Sequence, residues 1–235
     1  MRVKKFLWST VLAVSLFLRT ATSSEAFTIN TIGNSNGNPG GLPVYNVTGL
    51  VQGDTFNIIW DYDTQGQTLS AEATINIVSL TQNSAQVSVD LENTSTIGRI
   101  TSFGLSVGNF TSLGTGTVGS DLTKFKTSNF PGFQSVDACA TSGNNCAGGQ
   151  NGGIVVGDSD SFTFALNGTF GNPTPTLTLD SFAIKVQSGP NGASFELPGT
   201  PGDPGTSTPE PGSLLLLGSG LTGLGFLVQR KKAVI

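Results

Sequence analysis

The chain has no histidine, and that absence removes much common enzyme chemistry. It leaves no Ser-His-Asp or Cys-His arrangement, none of the usual zinc sets, and no imidazole as general base near neutral pH. Charge is also scarce: Asp, Glu, Lys and Arg make up 11% of the residues, against about a quarter in an ordinary globular chain. The composition is not rich in helix formers, and no long segment repeats at the helical period. Bases are missing from the middle of the chain in particular. Between Phe27 and Ser207 there are Arg99, Lys124, Lys126 and Lys185 against thirteen acids, a net charge of −9. A phosphate backbone needs clustered Lys and Arg, so no nucleic-acid partner is expected, and no cofactor motif is present.

The missing bases are at the two ends. Met1 to Ala26 joins a basic start (Arg2, Lys4, Lys5), an apolar run from Phe6 to Leu18 and a polar stretch closing on Ser24-Glu25-Ala26. Those three regions, in that order, predict a secretory signal helix cut by signal peptidase after Ala26. The alternative is an uncleaved anchor, which needs about 18 apolar residues, and this run is shorter. At the other end Ser213 to Val228 carries no charge and is followed at once by Gln229-Arg230-Lys231-Lys232. As a helix it would reach about 24 Å, a little less than a hydrocarbon core of about 30 Å. The basic stop at Arg230, Lys231 and Lys232 predicts a single transmembrane helix with its C-terminus in the cytoplasm and the acidic domain outside. A buried amphipathic helix is the other reading, but the segment is apolar all round and follows Pro198, Pro201, Pro204, Pro209 and Pro211.

Thr208-Pro209-Glu210-Pro211-Gly212-Ser213, a Leu/Gly-rich span and a terminal Arg-Lys-Lys together resemble the bacterial PEP-CTERM protein-sorting signal. The resemblance implies that Pro209, Glu210 and Pro211 mark the region recognised by an exosortase, a membrane-embedded, transpeptidase-like enzyme that removes the tail. It also implies a Gram-negative host with an exopolysaccharide or biofilm system. The protein would then be a transient inner-membrane intermediate before reaching the cell surface or extracellular matrix. The expected organisation is a signal peptide at 1–26, a folded domain at 27–188, a Pro/Gly-rich linker at 189–207 and the sorting tail at 208–235.

Period-two alternation dominates the folded part. Phe56, Ile58, Trp60 and Tyr62 share one face, as do Ala71, Ala73, Ile75 and Ile77. After Thr81-Gln82-Asn83-Ser84 come Ala85, Val87, Val89 and Leu91, which predicts a hairpin of two long strands. Phe103, Leu105 and Val107, then Phe162, Phe164 and Leu166, then Phe182, Ile184 and Val186 continue the pattern. The expected class is all-β, an antiparallel β-sandwich with a jelly-roll or immunoglobulin-like layout.

Phe130 to Asp160 breaks the alternation with Pro131-Gly132, Gly148-Gly149 and Gly152-Gly153, the chemistry of loops. It holds both cysteines, Cys139 and Cys146. Six intervening residues, an oxidising destination and no third thiol favour a disulfide over a metal or redox pair. The stretch Asp137 to Gly149 also resembles the cysteine loop of a cistern-type subgroup of PEP-CTERM proteins. In that comparison Asn93-Thr94-Ser95 and Ser102-Phe103-Gly104 match preceding strand segments.

Candidate chemistry is sparse. Asp61 with Asp63, and Asp158 with Asp160, are carboxylate pairs open to a glycosidase reading, although solvated acids on a strand face account for them as well. Asp158 and Asp160 are also candidate calcium ligands. Trp60 and Tyr62 would be the aromatic platform of a carbohydrate-binding module, or else core. Asn46, Asn93, Asn109 and Asn167 head glycosylation-type triplets, which a chain this rich in Asn, Ser and Thr produces by chance. The leading expectation is a non-enzymatic exported surface or matrix protein associated with exopolysaccharide. A carbohydrate-binding module comes second and a carboxylate-dependent hydrolase third.

Overall fold

The computed structural model describes residues 27–131, 136–149 and 152–202. The signal segment with Ala26, the sorting residues Pro209, Glu210 and Pro211, the basic stop and both expected helices lie outside the described residues.

In chain order the described strands are β1 (Thr28–Asn34), β2 (Pro43–Leu50), β3 (Thr55–Thr64), β4 (Gln67–Leu80), β5 (Ser84–Asn93), β6 (Arg99–Val107) and β7 (Phe110–Leu113). They continue with β8 (Lys124–Ser128), β9 (Val136–Thr141), β10 (Ile154–Val155), β11 (Ser159–Gly168), β12 (Leu177–Gln187), β13 (Phe195–Pro198) and β14 (Thr200–Pro201). Two antiparallel sheets pack as a sandwich. The first runs β1-β2-β12-β6-β9-β8, with β10 added to β6 and β13 added to β12; the second runs β14-β3-β4-β5-β11-β7.

Alternation builds the core. Residues two apart on a strand share a face, so every second side chain of β3, β4, β5 and β11 turns toward the first sheet. Phe56, Ile58 and Trp60 are buried, as are Val87, Val89 and Leu91, and Phe162, Phe164 and Leu166. From the opposite sheet come Phe103, Leu105, Leu179, Phe182 and Ile184. Trp60 meets Phe103 edge-on at 6.1 Å between ring centroids. Phe103 in turn lies 5.7 Å from Phe162 and 6.2 Å from Phe164. Each such side chain contributes about 1.5–3 kcal/mol by leaving water. The predicted hairpin is β4–β5, closed by Thr81, whose N–H donates to the Ser84 carbonyl at 2.8 Å.

Two boundaries differ from the expectation. The folded domain does not stop at 188. Phe195 and Leu197 turn into the core from β13, which pairs with β12, and β14 pairs with β3. Pro198 and Pro201 hid this strap in the sequence, but a strand end or sheet edge tolerates their missing N–H. Within Phe130–Asp160, β9 is a full strand between β6 and β8. Its Val-Asp-Ala-Cys-Ala-Thr sequence carries small residues where the eye looks for large apolar ones.

The first sheet is buried on both sides near its centre. On its outer face Val44, Phe130, Val136, Cys139, Cys146 and Ala183 form a second, smaller apolar cluster. The Cys139–Cys146 disulfide is formed, with Cα atoms 6.0 Å apart. It folds the 139–146 loop back over this face, where both cysteines are fully buried.

Trp60 is 1% exposed, and its Nε1 has no hydrogen-bond partner among the described residues. Trp60→Ala should therefore cost about 3–5 kcal/mol through the cavity it leaves. Trp60→Phe should cost clearly less, because no indole hydrogen bond is lost with the ring. Urea unfolding of the two variants checks this; an equal loss in both would contradict the packing described.

Candidate functional site

The two carboxylate pairs singled out from the sequence do not converge on one site among the described residues. Asp61 and Asp63 are exposed on the outer face of β3, and Asp63 accepts a hydrogen bond from the Thr68 hydroxyl at 2.7 Å. Asp158 is exposed in the turn between β10 and β11, where its carbonyl accepts from the Asn93 N–H at 3.0 Å. Asp160 is buried and holds a loop. Its Oδ1 accepts the N–H groups of Ser120 at 2.7 Å and Ser161 at 3.1 Å. Its Oδ2 accepts those of Asp121 at 3.1 Å and Leu122 at 2.7 Å. The Ser120 hydroxyl also donates to Oδ1 at 3.1 Å, so four backbone donors and one hydroxyl occupy the roughly four lone-pair sites of this carboxylate. Of the two acids proposed for calcium, Asp160 thus has both carboxylate oxygens turned to N–H groups. Gly119 belongs to the same device, since a Cβ there would collide with the Asp160 carboxylate. No group of three or more His, Cys, Asp or Glu side chains placed to hold a metal ion occurs among the described residues.

The aromatic pair is not a surface platform. Trp60 belongs to the core, and Tyr62 is half-buried with its ring 6.1 Å from Phe195. Asn93, which heads a glycosylation-type triplet, is fully buried, and its Nδ2 donates to the Ile154 carbonyl at 2.9 Å.

Two polar arrangements were not legible in the sequence. Lys185 and Glu196 sit directly opposite each other on β12 and β13 and form a buried ion pair, each residue 7% exposed. The Asn38 N–H donates to the second Glu196 oxygen at 3.1 Å. An alternating Phe-x-Ile-x-Val run marks Lys185 as outward-facing, yet it gives no sign of what covers it. The second arrangement centres on Asp180, on the central strand β12 between Asn46 of β2 and Ser106 of β6. Burial pushes its carboxyl above the usual 3.8, and the negative charge of Asp137 adds to the rise, while hydrogen bonds from Ser181 and Ser106 oppose it. The Ser181 hydroxyl donates to Oδ1 at 2.7 Å.

The site with a functional address is the last described stretch of the chain, which leads to the tail. There Thr200 and Pro201 pair with Ile59 and Ile58, and the Gly202 N–H donates to the Asn57 carbonyl at 2.8 Å. Beside them lies an open groove of about 290 Å³, lined by Leu42, Pro43, Ile59, Pro198, Pro201 and Asp61. Beyond this exit, residues 207–231 match the PEP-CTERM protein-sorting motif. That motif implies an exported protein sorted through the membrane to the cell surface by an exosortase. No curated protein and no solved structure matches the chain.

Two variants probe the polar arrangements. Between pH 3.8 and the raised folded value of Asp180, the native state binds more protons than the unfolded chain, so stability falls as pH rises through that window. Asp180→Asn should raise the thermal midpoint at pH 7, and the gain should vanish as pH drops below the ordinary carboxylate range. Asp160→Asn sets a side-chain NH₂ against backbone N–H groups. It should cost about 2–4 kcal/mol in urea unfolding, independent of added calcium or EDTA.

Proposed function

We propose that the protein is a non-enzymatic component of the cell surface or extracellular matrix, associated with exopolysaccharide. In this reading it is exported, held briefly in the inner membrane, and released by exosortase processing. The observation that carries the reading is the order of parts. A β-sandwich whose chain is tied down as far as Gly202 is followed within five residues by the sorting motif. The folded part carries an acidic outer face, with Asp63, Glu72, Asp90 and Glu92 exposed on the second sheet. Such a surface favours solubility outside the cell. The buried disulfide is consistent with an oxidising compartment.

Export implies loss of the first 26 residues to signal peptidase, and processing implies loss of the tail near Pro209-Glu210-Pro211. Burial of Trp60 takes away the aromatic platform on which a sugar-binding reading of this chain rested. In this reading association with exopolysaccharide draws mainly on the polar outer surface.

Intact-mass measurement of the protein from its host tests the reading. The expected species begins at Phe27, ends near the Pro-Glu-Pro motif and is about 2 Da lighter than the reduced chain, the two hydrogens lost per disulfide. It should co-fractionate with extracellular polymer. Glu210→Ala should leave the tail attached and the protein in the membrane fraction. A mature species still ending at Ile235 would overturn the sorting assignment.

A further inference from the structure

We propose that the groove at the chain exit is a docking surface for the extracytoplasmic face of the membrane-embedded sorting enzyme, engaged while the tail is being processed. This rests on the sorting reading above and adds a partner contact to it.

The argument begins with length. Gly202 is fixed to β3 through Asn57, and Pro209 follows seven residues later. Whatever conformation those residues take, they span at most about 25 Å. A domain of roughly 176 residues has a radius of gyration of about 16 Å and is therefore about 40 Å across. The leash is shorter than the body it restrains. An enzyme that encloses the Pro-Glu-Pro motif thus meets the sandwich around Gly202 and not on a remote face.

The surface at that point differs from its surroundings. Ile59 is 47% exposed there, and Leu42, Pro43, Pro198 and Pro201 line the same groove, with Asp61 as its one charged group. Glu72 of β4 lies directly opposite Ile59, and from there the outer face of the second sheet is acidic, with Glu92 opposite Glu72 and with Asp63 and Asp90 also exposed. The prolines add rigidity: an apolar patch already fixed in place loses little entropy on docking.

The test follows processing of the full-length protein in its host by pulse-chase. Ile59→Asp should slow conversion to the trimmed species by about tenfold, the scale of a single interface anchor. Its trimmed product should stay folded with only a modestly lowered thermal midpoint, because Ile59 lies on the outer face and the new carboxylate meets Glu72 opposite it. A Gly/Ser insert of about twelve residues after Gly202 should uncouple domain from motif, so that insert-bearing chains are processed at the same rate with or without the Ile59→Asp substitution. Wild-type processing of Ile59→Asp without the insert, while Glu210→Ala remains blocked, would overturn the docking surface and leave the sorting reading intact. Processing of Glu210→Ala would instead overturn the sorting reading. Binding of the trimmed protein to anionic vesicles, lost in Ile59→Asp, would make the bilayer the occupant and overturn the enzyme contact.

Discussion

The strap from Phe195 to Gly202 is the constraint on which the C-terminal half of the sandwich depends. It pairs first with β12 and then with β3, so a single eight-residue segment is hydrogen-bonded into both sheets. From within, Phe195 and Leu197 anchor it in the core. At Gly199 the backbone passes so close to Ile58 and Trp60 that a Cβ would collide with both. From outside, Glu196 holds Lys185, and removing either partner would leave a buried charge unpaired at a cost of about 3–5 kcal/mol. Apolar burial on one face and a charge pair on the other fix the strap as far as Gly202.

The outer face of the first sheet follows a different logic from that of the second. The second sheet exposes acids and polar residues on its outer side, the alternation expected of a sheet with one wet face. The first is covered near its centre by the disulfide loop, by Phe130 and by the segment around Asn38. Lys185, Ser102 and Thr141 lie beneath that cover. The Ser102 and Thr141 hydroxyls are hydrogen-bonded to each other at 2.8 Å. A loop rich in Gly and Asn can lie on a sheet in this way when a covalent tie limits its freedom and polar partners are supplied below.

What could be read from the chain was whatever depends on neighbours along it. The β3, β4, β5, β6, β11 and β12 strands all announce themselves by bulky residues at every second position, and the β4–β5 hairpin by its turn. The strands that escaped notice each lack one such signal. β1 is exposed along most of its length, so its side chains need no alternation. β9 is built from small residues, and β13 and β14 are punctuated by proline. Polar arrangements were invisible for another reason. Asp160 finds its donors some forty residues upstream, at Ser120 to Leu122. Asp180 is pressed by Asp137 from two strands away, and Glu196 meets Asn38 from the far end of the chain. Sheet order makes these neighbours, and composition does not encode sheet order.

The sorting signal was legible for the same physical reason that strand alternation was. A peptide motif recognised as a linear run must carry its information in consecutive residues, here Pro209-Glu210-Pro211, the uncharged span and the terminal Arg230-Lys231-Lys232. A surface of the sandwich carries its information in residues such as Leu42, Ile59 and Pro198, distant in sequence and gathered by pairing of the strands. The exit groove lies where these two kinds of information meet. The hydrogen bond from Gly202 to Asn57 precedes the motif by a distance no longer than a few extended residues. Folding of the strap therefore limits how far the motif can lie from Gly202, so whatever stabilises the strap also keeps the motif within that reach of the body.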